Sequence, residues 1–126
     1  MELISTPAGP KPAGHYSQAV VHGGLVYVAG MLATDPATGE VVAPGQPGPQ
    51  TEQTLRNVAA VLAAAGSGLD RVLSATIYVT AREQWAEVNA AFARALGDHQ
   101  PARAVVPVLE LKPGCVVEIQ VIAAVR

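Results

Sequence analysis

The chain has 126 residues, enough for one core and not for two, so residues 1–126 read as a single domain. Half of the residues are hydrophobic and 14% are charged, a large apolar share for a monomer of this size. The net charge of −2 argues against a strong nonspecific hold on nucleic acid, and a single cysteine, Cys115, excludes an internal disulfide. The apolar stretches fall short of the roughly 20 residues that a membrane helix needs. The opening Met1-Glu2-Leu3-Ile4-Ser5-Thr6-Pro7 lacks the pattern of a signal peptide. The expected location is cytoplasmic, with no membrane partner.

In chain order, the Pro-rich residues through Pro12 read as irregular. Gln18–His22 and Leu25–Ala29 read as two strands, with Gly23-Gly24 as a two-residue hairpin turn. Asp35-Pro36-Ala37-Thr38-Gly39 is a turn that leaves room for a short strand at Glu40–Ala43, and Pro44–Pro49 reads as a loop. Leu55, Val58, Ala59, Leu62 and Ala65 recur at helical spacing, which predicts a helix over Gln50–Ala65 ended by Gly66. Arg71–Val79 is a strand. Thr80-Ala81-Arg82-Glu83 matches a capping box that opens a second helix to Leu96, with Trp85, Val88, Phe92 and Leu96 as its inner stripe and Gly97 as its stop. Ala104–Leu109 and Cys115–Val125 are the last strands, joined through Lys112-Pro113-Gly114. The order is ββ(β)αβαββ, an α+β arrangement with two helices on one face of a mixed sheet.

In the last strand Cys115, Val117, Ile119, Val121, Ala123 and Val125 share one face, which is expected to meet the helices. Val116, Glu118, Gln120, Ile122 and Ala124 share the other, which is still half apolar. A sheet with one face covered by its own helices and this much apolar surface on the other predicts a homo-oligomer.

Few residues stand out as chemistry. The glycines around Gly45 and Gly48 lack phosphate-loop spacing, and His15, His22 and His99 lack metal-ligand spacing, so neither a nucleotide nor a metal is expected. Cys115 has no evident histidine partner and reads as a bystander thiol. Arg103 and Glu118 are conspicuous because their neighbours are apolar: Pro101-Ala102-Arg103-Ala104-Val105-Val106 and Val116-Val117-Glu118-Ile119-Gln120-Val121. Two readings are open. They form one structural ion pair between adjacent strands, or reach water at edges; alternatively, Arg103 anchors a substrate carboxylate in bidentate fashion and Glu118 positions or activates a water.

At these residues the chain resembles the Rid family of reactive intermediate deaminases, the RidA or YjgF-type proteins. Gly14-His15-Tyr16-Ser17-Gln18-Ala19 is similar to the family's N-terminal segment, and Gly30 with Asp35–Glu40 to its post-strand glycine and turn. Gln53–Val58 and Val88-Asn89-Ala90 resemble its two helix signatures, and Pro101-Ala102-Arg103 and Val117-Glu118-Ile119 its C-terminal motifs. The resemblance implies a chorismate-mutase-like fold and a homotrimer with sites between subunits. It implies hydrolysis of reactive 2-imino acids and enamines, carboxylate-bearing small molecules, to 2-keto acids and ammonia without a cofactor.

In that reading Arg103, Glu118 and Tyr16 are catalytic, and Gly30 lets backbone approach the ligand. Asn57 and Asn89 are expected to satisfy buried backbone groups. Two positions depart from the family: Val105 stands where many members carry Cys, and Ala29 where many carry Ser, so the substrate-binding wall is expected to be drier. The alternatives are a pathway-specific relative acting on another imine or enamine, and a non-catalytic carboxylate-binding trimer.

Overall fold

A computed structural model describes residues 1–126. The hairpin turn at Gly23-Gly24, with φ of 59° and 77°, joins β2 (Ala19–His22) to β3 (Leu25–Val28). Both glycines take the left-handed backbone that side chains disfavour, as a primed two-residue turn requires. The N-terminal segment is not wholly irregular. Glu2–Ile4 forms β1, an antiparallel edge strand in which Ile4 pairs with Ala19 and is buried. Three residues with one buried side chain are too short to show a period in the sequence. The short strand considered at Glu40–Ala43 is only an isolated bridge between Thr34 and Val41.

Helix α1 spans Pro47–Ala64, three residues longer at its start than the periodicity suggests. Pro47 and Pro49 lie in its first turn, where the missing proline N–H has no helical acceptor to lose. At its other end Gly66, at φ 76°, lets the Ser67 N–H turn back onto the Leu62 carbonyl at 2.8 Å. A 3-10 turn at Leu69–Arg71 leads into β4 (Val72–Val79).

Helix α2 (Trp85–Leu96) is preceded by a 3-10 turn at Arg82–Gln84. Its start is held by Gln84, not by the Thr80/Glu83 box: Gln84 Oε1 accepts from the Thr80 and Ala81 N–H groups at 3.2 and 3.1 Å. The inner stripe is also displaced. Val88, Ala91 and Phe92 are buried and Leu96 is half-buried, whereas Trp85 is 47% exposed. Trp85 opens the helix over the edge of the sheet, so its ring lies beyond the core.

Strands β5 (Ala102–Pro107) and β6 (Val117–Ala124) complete a six-stranded mixed sheet in the order β1-β2-β3-β6-β4-β5. β6 runs antiparallel between β3 and β4, and β5 runs parallel to β4 at the far edge. The observed order is βββαβαββ. Both helices cover one face in a chorismate-mutase-like α+β fold. Val117, Ile119, Val121 and Ala123 of β6 and Ala75, Ile77 and Val79 of β4 fill the core on that face. The opposite face stays bare of helices and exposes Leu3, Tyr27 and Val106. No helix is long and apolar enough to cross a membrane.

Gln50, fully buried on α1, ties two loops to the helix. Its amide donates to the carbonyls of Val42 (3.1 Å) and Gly114 (2.8 Å) and accepts from the Val116 N–H (2.8 Å). Gln50→Leu keeps the volume and strands three backbone groups. With each buried, unpaired group costing ~1–3 kcal/mol, the variant is expected to lose about 3 kcal/mol in urea denaturation. An unchanged midpoint would show that the loops hold without this clamp.

Candidate active site

The first cluster lies around the C-terminal end of β3. Gln18, buried at the start of β2, accepts from the Thr6 N–H (2.7 Å) and donates to the carbonyls of Thr6 (3.0 Å) and Pro10 (2.8 Å). This fastens the proline-rich segment onto the sheet and carries Tyr16 to the rim of a cleft of about 420 Å³. Gly30, Met31, Asp35 and Lys112 also line it. The Tyr16 hydroxyl accepts from the Ala13 N–H at 3.2 Å, and half of the side chain remains exposed. Asn57 holds the far wall, donating to the carbonyls of Leu32 (2.9 Å) and Thr34 (2.8 Å). This is the backbone-satisfying role its sequence context suggests.

Glu118 projects from β6 onto Gly30. Its Oε1 lies where a Cβ on residue 30 would stand, so the glycine admits the carboxyl of Glu118 against the backbone. Glu118 is half-buried, and loss of solvent pushes its pKa above the usual carboxylate value. Ala29, beside Gly30 in sequence, packs against the core and does not line the cleft.

The second cluster lies at the other edge of the sheet. Arg103, on β5, donates from Nη1 to Asn89 Oδ1 at 2.9 Å, and its guanidinium carbon sits 5.1 Å from the centre of the Phe92 ring. It faces a cavity of about 600 Å³ lined also by Val79, Arg82, Trp85, Val105 and Pro107. Asn89 therefore does not satisfy backbone; it orients the arginine. The sequence signal for this was the spacing of Trp85, Asn89 and Phe92, a second helical stripe that turns toward β5.

Arg103 and Glu118 do not meet within the chain. β4 separates their strands. Arg103 pairs laterally with Ala75, on the face covered by helices, whereas Glu118 pairs with Tyr78 on the bare face. Ion pairs join Arg94 to Glu52 and Arg126 to Asp70 and involve neither residue. The structural ion pair between adjacent strands is thereby excluded. Cys115 is buried, and desolvation raises its thiol pKa, which disfavours the reactive thiolate.

The fold and these two clusters define a class. The family described as Endoribonuclease L-PSP matches residues 6–125. A RutC family protein of Pyrococcus horikoshii is 40% identical over 122 residues, covering 97% of this chain and 96% of the relative. RidA from the Antarctic bacterium Psychrobacter superposes with a TM-score of 0.94 at 37% identity, over 99% of this chain and 100% of that one. The chain belongs to the Rid/YjgF family. Within it, TdcF of E. coli, solved with bound serine, matches with a TM-score of 0.92 at 29% identity, over the whole of both chains.

The environment of Glu118 sets a pH dependence of stability. Because its folded pKa is raised above 4.5, the native state binds a proton more readily than the unfolded chain. The stabilising contribution is complete below the ordinary carboxylate value and is lost as pH rises through the folded one. Thermal melts of wild type and Glu118→Gln from about pH 4 to about pH 8 should show the wild type losing stability relative to the variant across that window. Parallel curves would mean that Glu118 is solvated like any surface carboxylate.

Proposed function

We propose that this protein hydrolyses 2-imino acids to 2-keto acids and ammonia, without a cofactor, at sites shared between subunits of a homotrimer. The observation that carries the reading is the placement of Arg103 and Glu118. Each is oriented, and neither has an ionic partner in its own chain. They lie on opposite faces of the sheet, one of which is bare and partly apolar. A second subunit packed on the bare face can bring its Arg103 edge against Glu118 and Gly30 of the first. The family resemblance supports a trimer, and the separated faces support a site completed by a second copy.

In such a site Arg103 takes the substrate carboxylate. Asn89 and the Phe92 ring fix the plane of its guanidinium and leave N–H groups for a bidentate contact. That contact sets the imine carbon in front of Glu118. Glu118 accepts a proton from the attacking water as the C–O bond forms and delivers it to the nitrogen as the C–N bond breaks. A carboxyl whose pKa is raised by burial holds a proton more readily than a solvated one, which suits its delivery to the departing nitrogen. Tyr16 supplies a hydroxyl at the rim, Gly30 admits Glu118, and Val105 makes the carboxylate side dry. The bound serine of TdcF supports a small carboxylate as ligand. The net charge of −2 and the sparse aromatic surface give no comparable support to an RNA substrate.

The test couples the protein to a threonine dehydratase that releases imine and follows 2-keto acid formation. Arg103→Ala should lower turnover a hundredfold or more, since a charge-assisted pair is lost. Glu118→Gln should lower it about 10²–10⁴-fold while retaining keto-acid binding. Refolding the two inactive variants together should rescue activity. With head-to-tail interfaces, random mixing leaves roughly a quarter of sites with both groups intact. Rescue fails if one chain supplies both groups, and a wild type that does not outpace spontaneous hydrolysis would end the deaminase reading.

A further inference from the structure

The Arg103 cavity holds a second guanidinium that the reaction just described does not use. Arg82 projects into the same space from the 3-10 turn before α2. It makes no ion pair within the chain, and neither does Arg103. Between them the wall is apolar, from Val79, Trp85, Val105 and Pro107. Both guanidiniums are exposed in the single chain and line the same hollow, so an occupant carrying two negative charges can pair with each of them, and more strongly once the hollow is covered. A monocarboxylate pairs with one guanidinium and leaves the other to water. The hollow, about 600 Å³ and open to solvent on the single chain, has room for a small organic ligand.

We propose that Arg82 makes this site selective for dicarboxylic substrates, with Arg103 holding the carboxylate next to the imine carbon and Arg82 the distal one. This rests on the imine-hydrolase reading above and names its substrate class: 2-imino dicarboxylates of four or five carbons. The balance is that of the parent reaction. Water adds to the C=N carbon of 2-iminosuccinate, the C–N bond breaks, and oxaloacetate and ammonia leave, with no oxidant or reductant. The imine itself must come from a reaction that oxidises or eliminates from an acidic amino acid. Val105 fits this assignment, because an apolar side chain in the shared lining offers no competing partner to either carboxylate.

The experiment compares two imine supplies on the intact protein. An L-aspartate oxidase provides 2-iminosuccinate, a threonine dehydratase provides 2-iminobutyrate, and keto-acid release is measured for wild type, Arg82→Met and Arg82→Lys. Wild type should favour the dicarboxylic imine in kcat/KM by about tenfold or more, as one added charged hydrogen bond allows. Arg82→Met should abolish that ratio mainly through KM for the dicarboxylic imine, and Arg82→Lys should recover part of it. Binding of 2-oxoglutarate against 2-oxobutyrate should follow the same ratio.

Turnover of both imines at equal efficiency, or a ratio unmoved by Arg82→Met, overturns the selectivity while leaving the deaminase reading in place. Turnover of neither imine overturns both. Dissociation of the oligomer on Arg82→Met would show that Arg82 pairs with a neighbouring subunit, and that also overturns the proposal.

Discussion

The pleat of the sheet is the constraint on which the site depends. Side chains of a strand alternate between its faces, and lateral partners share a face. The register Ala75↔Arg103 therefore commits Arg103 to the covered side, and Tyr78↔Glu118 commits Glu118 to the bare side. A shift of one residue in either strand would reverse this, but it would also turn Ile119 of β6 out of the core or Val105 of β5 away from it. The burial that holds the fold together thus also holds the two charged groups apart. A chain built this way cannot join them alone, whatever its loops do.

Around that frame, three buried amides do the work that a small core with short helices leaves undone. Gln18 ties the first ten residues to the sheet, Gln50 ties both ends of the α1 surroundings together, and Asn57 fixes the carbonyls of Leu32 and Thr34. Each satisfies backbone groups in irregular segments, which have no ladder of their own. No buried side-chain nitrogen or oxygen lacks a partner. The cleft beside Gly30 is consequently walled by loops that are hydrogen-bonded from inside, so the flexibility usual for such segments is restrained where a ligand would touch them.

Much of this was legible in the sequence. The alternation in β6 is unbroken from Val117 to Ala123, so its inward face could be named residue by residue, and Gly23-Gly24 and Gly66 end their elements as glycine should. The family resemblance pointed to Arg103 and Glu118, which local composition had already set apart. Three things were hidden. β1 is too short to carry a period. Trp85 looked like a core residue because helical spacing reports a stripe and not what the stripe faces. Most importantly, β6 inserts between β3 and β4, strands distant from each other in sequence. Without that order, Arg103 and Glu118 look like neighbours on consecutive strands, and the ion pair looks reasonable.

Holding Arg103 without an acid has a further consequence. A carboxylate beside the guanidinium would have fixed it equally well, but would have cancelled its charge and competed with any ligand. Asn89 and the face of Phe92 orient the group through a neutral acceptor and a ring quadrupole instead. Because Arg103 remains exposed in the chain, water still solvates its charge, and the desolvation cost is deferred until something covers it. Were a carboxylate and a neighbouring subunit to cover it together, as proposed, that cost would be offset by a charge-assisted pair in a drier medium, where the attraction is stronger than at a surface. In the proposed assembly, association and ligand binding would therefore favour each other: a covering subunit would strengthen the contact, and a bound anion would lower the penalty of covering the arginine.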